Sequence, residues 1–234
     1  NRLESWALRG QLLDAESLYM RAARIWETTG EMQRSVEIYE RLVRQRGYSA
    51  YPASIALEVL ANQTGDLEEV EKSLLMQLEV APPADIAQIY ERLARLRIAH
   101  HSRELAVQTC EELLEHNPFS AVAYDYLGSD ADGSQDYLKA LDYGLKYLTN
   151  HRQPRSIAGD VLTRRYERVI SLASELRPPA LEDLTVAYTR DFPGQTIPMV
   201  VSLSQSLRGA GQFQELADLR LLQHEVGAYF ATTP

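Results

Sequence analysis

The sequence predicts an all-α fold, a right-handed superhelix of about six helix pairs. Three observations carry that reading. Apolar residues recur at steps of three and four along the whole chain, the spacing of one helix face. Punctuation bearing Gly or Pro breaks this pattern into segments of roughly 10–20 residues, ordinary helix lengths. Marker residues then return at steps of 35, 36 and 34 residues, as a stack of equivalent units requires. Strand signals, such as β-branched alternation or an Asn-Gly hairpin turn, are nearly absent.

Composition narrows the function classes. The chain has 234 residues, 45% of them hydrophobic, which is enough to build a core. Its net charge of -9 argues against non-specific nucleic-acid binding. No apolar run approaches the roughly 20 residues that span a bilayer, so no direct membrane insertion is expected. Cys110 is the one cysteine, which rules out an intrachain disulfide. A soluble protein of the cytoplasm or the periplasm fits these properties equally.

Taken in order, "RLESWALR" reads as the second helix of an earlier unit, stopped at Gly10. Residues 1–13 are therefore expected to be the end of a preceding repeat, and the chain a fragment of a longer array. Residues 14–153 hold four units. The first places Tyr19, Ala22, Ala23 and Trp26 on one helix, turns at Gly30, and continues with Ser35 and Tyr39. The second carries Leu57, Ala61, Gly65, Leu74 and Pro82, with Glu58 where a small residue is expected. The third carries Tyr90, Leu93, Ala94, Ala106, Cys110 and Pro118, with His101 in place of the turn glycine. The fourth opens with "NPFSAVAYDYLG" and reaches Ala140. Residues 154–234 supply two looser pairs of the same solenoid: a long helix over 155–177, a second from "RPPALEDLTVAYTRDFPG", and two more around Gly209–Gly211.

These markers resemble the tetratricopeptide repeat, whose pattern is W-x2-L-G-x2-Y, then A-x3-F, then P, over 34 residues. Small residues on both helices let a pair cross closely. Each pair alone leaves an apolar face bare, so stacking buries the core.

Candidate chemistry is sparse. "DADG" followed by Asp136 suggests a calcium loop, but an EF-hand register puts Gly128 at position 1 and Lys139 at position 12, where ligand oxygens are needed. The expected alternative is a first helix that ends near Gly128, with an Asp/Ser/Gly loop replacing its last turns as a hinge or partner contact. His100 and His101 sit at a turn, and His116, His151 and His224 stand apart from them, so no zinc set forms. Cys110 falls at a packing position in the acidic "QTCEELLEH", which suits a buried small hydrophobe rather than a nucleophile. Nucleotide-binding glycine loops are absent. No catalysis, metal or cofactor is expected.

The resemblance implies a groove lined by successive first helices that binds a peptide or a partner domain. The positions one step past the core stripe are Ser17, Met20, Arg24 and Glu27, then Ile55, Val59 and Asn62, then Gln88, Glu91 and Arg95, then Val122, Asp125 and Ser129. Met20 and Ile55 stand where a carboxylate clamp of the chaperone-binding members wants polar groups, while Arg24 and Arg95 suit acidic partner groups. The expected function is a protein–protein interaction scaffold. Two other settings are open at this stage: a periplasmic array of a bacterial envelope or polysaccharide-export machine, and a regulatory array joined to an enzyme or transcription factor.

Overall fold

Among the described residues, apolar period and helix-stop chemistry become helices almost everywhere they were read. The computed structural model describes residues 2–100, 102–150 and 159–177, and beyond them Ala180, Leu181, Leu184, Ala187 and Tyr188. All elements among the described residues are α-helices. The chain divides into two compact units, residues 1–116 and 117–234.

The first unit holds α1 (Arg2–Thr29), α2 (Met32–Gln45), α3 (Ala50–Thr64), α4 (Leu67–Val80), α5 (Ile86–His100) and α6 (Arg103–His116). Each packs on the next in chain order, both within a pair and from one pair to the following one. This is the sequential stacking of an α-α repeat. Two turns rest on glycine in the left-handed region, Gly30 at φ 84° and Gly65 at φ 72°, a conformation open to glycine at little cost. Asp66 then caps α4, its carboxylate accepting from the Glu68 and Glu69 N–H groups at 3.1 Å. A different device starts α3. Glu16 of α1 accepts the Ser49 N–H at 2.9 Å, and its carboxylate lies where a Cβ on Gly47 would stand.

Repeat positions are buried as the period requires. Ala23, Ala94, Leu42 and Leu113 are almost wholly inaccessible, as are Ser35 and Ala106. One cluster joins Ala23, Tyr39, Leu42 and Val43 to Ala53, Leu57 and Leu60 of the next pair. A second joins Ala61, Val70 and Leu74 to Ile89 and Leu93. Each cluster thus spans two pairs, so the pair is the structural unit but not the packing unit.

The second unit holds α7 (Ala121–Gly133), α8 (Tyr137–Asn150) and α9 (Gly159–Leu176), with α8 packed on both neighbours. Ser120 caps α7 by accepting the Ala123 N–H. Of the helix read over 155–177, residues 159–176 form α9, and residues 155–158 lie outside the described residues. Ala180, Leu181, Leu184, Ala187 and Tyr188 are helical and buried, and Tyr188 meets Tyr166 edge-on at 5.1 Å. The two helices read around Gly209–Gly211 lie outside the described residues.

Two sequence expectations give way. The stop at Gly10 is not used: α1 runs unbroken through it. One helix-interior glycine costs about 1 kcal/mol, too little to end a helix flanked by helix formers on both sides. Nor does α7 end at Gly128; "SDADG" is helical to Gly133. Ala131 continues the buried stripe begun by Tyr124 and Leu127, and Asp132 points outward to an arginine of α9. The hinge expected there is a helix, and the actual turn is made by Gln135 at φ 63°, with Asp136 accepting the Lys139 N–H.

Tyr39, Leu74, Cys110 and Gly144 are equivalent second-helix positions, and the first three are buried to 1% or less. At Gly144 the space belongs to α9 instead, since an added Cβ would lie 2.5 Å from Val169 Cγ2. At Gly128 the nearest atom is 3.5 Å away, an ordinary contact. Gly144→Ala is therefore expected to destabilise the protein by about 1–3 kcal/mol through overpacking against a stiff β-branched side chain. Gly128→Ala should be neutral or stabilising by up to about 1 kcal/mol. Thermal or urea melts of the two variants check the contrast.

Candidate interaction surfaces

Polar side chains join successive helix pairs at a separation of about one repeat. In the first unit Glu58 of α3 is buried and accepts from Arg92 of α5 at 2.5 Å and from Gln77 of α4 at 2.7 Å. Arg92 also reaches the Gln77 carbonyl oxygen at 2.8 Å. The residue that broke the small-residue rule thus anchors a network of three helices. Arg97 makes a second one, holding Glu71 of α4 and donating to Thr109 of α6 at 2.6 Å. Outer rungs are more exposed: Arg46 to Glu79 at 2.7 Å and Lys72 to Glu40 at 3.1 Å.

The second unit repeats the arrangement. Arg165 of α9 forms a two-point ion pair with Asp125 of α7 and donates to Ser129 at 2.8 Å. Its Nη2 is aligned on Oδ2 at 3.0 Å, while Oδ1 has charge contact without hydrogen-bond alignment. Arg168 grips Asp132 through Nε at 2.9 Å and Nη2 at 2.5 Å, and Arg177 holds Asp142 at 2.9 Å. Burial raises the Asp125 pKa against the pull of Arg165. Arg168 lowers that of Asp132, its hydrogen bond outweighing the burial.

Asp125, Ser129 and Asp132 also line a cleft of about 400 Å³ between α7 and α9. Its apolar floor includes Ala140, Gly144, Tyr147 and Leu172, and Arg164, Arg165 and Arg168 stand along α9. The structure therefore brings Asp125 and Ser129 together, two of the positions read as groove-facing. In the first unit Ile55, Val59 and Asn62 form an exposed stripe on α3, with Val59 half in solvent. Gln88 and Arg95 are exposed on α5, and Arg95 pairs with Glu91 on its own helix at 2.8 Å. The α3 and α5 stripes adjoin Glu58 and Arg92, the residues that bridge the two helices. On α1, Arg24 is exposed and Glu27 accepts the Tyr39 hydroxyl. Met20 is partly buried against the Tyr39 cluster. Sequence reasoning missed Arg165, Arg168 and Arg92. The available signal was an arginine 34 to 40 residues after a carboxylate, one repeat further on.

The remaining candidates are placed plainly. Cys110 is fully buried, and burial, then Glu111, pushes its thiol up to about 12, so it stays protonated at neutral pH. His116 stacks on Tyr90 with ring centroids 5.1 Å apart, and His100 is exposed. His101, His151 and His224 lie outside the described residues. Among the described residues no group of three or more His, Cys, Asp or Glu converges in a way that suits a metal ion. No helix there is long and apolar enough to cross a membrane.

By its helix order and pair-to-pair packing the chain is an α-α repeat protein. No family model matches it, and no curated protein does. Among solved structures, two crystal structures of MamA are similar. One is 16% identical with a TM-score of 0.45, covering 75% of this chain and 91% of its own. The other is 15% identical with a TM-score of 0.36, covering 90% and 97%. The repeat assignment stands on this chain's own contacts.

Two predictions test the rungs. Glu58→Ala leaves Arg92 and Gln77 without their shared acceptor and is expected to cost about 2–4 kcal/mol, whereas Arg46→Ala, at an exposed pair, should stay within about 0.5 kcal/mol. Urea melts separate the two. Asp132→Asn should cost a few tenths of a kcal/mol at neutral pH, since the pair is largely solvated. A lowered folded-state pKa gives stability that is present above the ordinary value of 3.8 and lost as pH falls through the folded one. The gap between wild type and Asp132→Asn should therefore close below that range in pH-dependent melts.

Proposed function

We propose that this chain is a protein-interaction scaffold that holds a peptide segment or partner domain on its first-helix faces. The observation that carries the reading is the cleft between α7 and α9. Its floor is apolar, and its sides present carboxylates, a hydroxyl and guanidinium groups in fixed register. That combination of an apolar centre with convergent polar groups suits a peptide side chain and its flanking backbone. The exposed Ile55–Val59–Asn62 and Gln88–Glu91–Arg95 stripes supply equivalent surfaces in the first unit. The polar groups of the α7–α9 cleft are held by one another, which fixes them before a partner arrives and reduces the ordering cost of binding. The reading assigns no chemical step to the chain.

Photo-crosslinking tests it. A benzophenone side chain at Val59 or Ser129 should capture one partner, while the same group at Glu111 of α6 or Leu138 of α8 should not. Equal capture from all four positions, or capture from the α6 and α8 positions alone, would sink the reading.

A further inference from the structure

A second groove lies within the first unit. It runs between α2 and α4 over the C-terminal half of α3 and encloses about 570 Å³. The floor is aliphatic: Val36 from α2, Leu57, Leu60 and Ala61 from α3, and Met76 from α4. Leu57 and Leu60 each keep 8% of their surface accessible, where Leu42 and Leu74 keep 1%, so the neighbouring helices do not seal this floor. Met32, 43% exposed, stands at one end. Methionines adapt their shape to different apolar side chains, and two of them here suit an interchangeable occupant.

The rim is charged with one sign in excess. Glu37, Glu40 and Glu69 face it against the single cation Lys72. Lys72 is divided between Glu40 and Glu69, at 3.1 Å from each. Glu40 also binds Arg44 at 2.7 Å. Glu37 is exposed and makes no hydrogen bond or ion pair among the described residues. The amides of Gln33 and Gln63 also line the groove, offering both donors and acceptors to a peptide backbone.

We infer that the groove between α2 and α4 docks a protein segment that carries aliphatic side chains beside lysine or arginine. The aliphatic groups fill the Leu57–Leu60–Met76 floor, for which a volume of this size has room for roughly two or three. The cationic group meets Glu37 and the excess charge of the rim. Opposite charge sets the choice of partner, and the chain's net charge of -9 steers a basic segment toward it. This groove is walled by α2 and α4 over a floor from α3 and shares no lining residue with the α7–α9 cleft, so either site can fail without the other.

Fluorescence anisotropy on the full chain tests the inference with synthetic helical peptides. The probe has leucines at positions i and i+4 flanked by lysines. Control peptides replace the lysines by glutamates, or the leucines by alanines. The leucine-lysine peptide should bind in the range of about 10–100 µM, and each control at least about ten-fold more weakly. Glu37→Lys, at an exposed position, should weaken the lysine peptide about five-fold or more and narrow its advantage over the glutamate peptide. Met32→Asn should weaken it without changing the charge preference. Thermal melts verify that both variants fold. Equal binding of the alanine peptide, indifference to both substitutions, or no binding at roughly 500 µM would each overturn the inference. So would a concentration-dependent dimer abolished by Met32→Asn, since a second copy would then be the occupant.

Discussion

A helix pair in this chain has two apolar flanks, and its own two helices can cover neither completely. Everything else in the structure depends on that shortage. Within a pair, small residues at the crossing set the approach: Ala23 with Ser35, Ala94 with Ala106, Gly128 with Ala140. Ser35 shows how strongly the position demands smallness, because its buried hydroxyl has no hydrogen-bond partner among the described residues. Such a group costs about 1–3 kcal/mol, which close packing must offset. Between pairs the larger residues take over. Tyr39, Leu42, Leu57 and Leu60 come from consecutive pairs and lie in one cluster. Removing one pair would bare its neighbour's core, so stability belongs to the stack rather than to any pair.

Apolar burial alone tolerates sliding, since one leucine fills a gap much as another does. The polar rungs restrict that freedom. Glu58, Gln77 and Arg92 satisfy one another only in one register of three helices, and a shift of one residue would leave charges buried without partners. Their net contribution to stability is small beside that of the surrounding core, because desolvation cancels much of the attraction. The exposed rungs, Arg46 with Glu79 and Lys72 with Glu40, contribute less still. Hydrophobic contacts therefore hold the pairs together, and buried ionic contacts choose how they sit.

The period, the crossing residues and the glycine turns were legible because each is a local rule repeated several times. Ala23, Ala94, Leu42 and Leu113 could be matched by counting, and burial agrees with the count. Apart from Gly10, what escaped was decided by partners distant in sequence. Gly10 looks like a stop until the helix formers on either side are weighed against one glycine. "SDADG" looks like a loop or a cation site because its aspartates are conspicuous. The deciding residues are Ala131, which extends the buried stripe, and Arg168, which neutralises Asp132 from the next pair. Glu58 looked like a defect for the same reason: its justification is Arg92, 34 residues later.

That distance matters for the first-helix surface. Asp125 and Ser129 are not vacant acceptors awaiting a ligand; Arg165 already holds both. Glu91 and Arg95 likewise hold each other. A partner that puts its own charge there must exchange one ion pair for another, and an exchange of equal contacts yields little net affinity. The gain has to come from elsewhere, and the apolar floor of Ala140, Gly144, Tyr147 and Leu172 is where water can be displaced. Affinity at such a cleft is therefore set by the floor, while the ionic groups above it decide orientation and which partner is admitted. The same division governs the fold itself, in which apolar contacts supply the energy and charged ones the register.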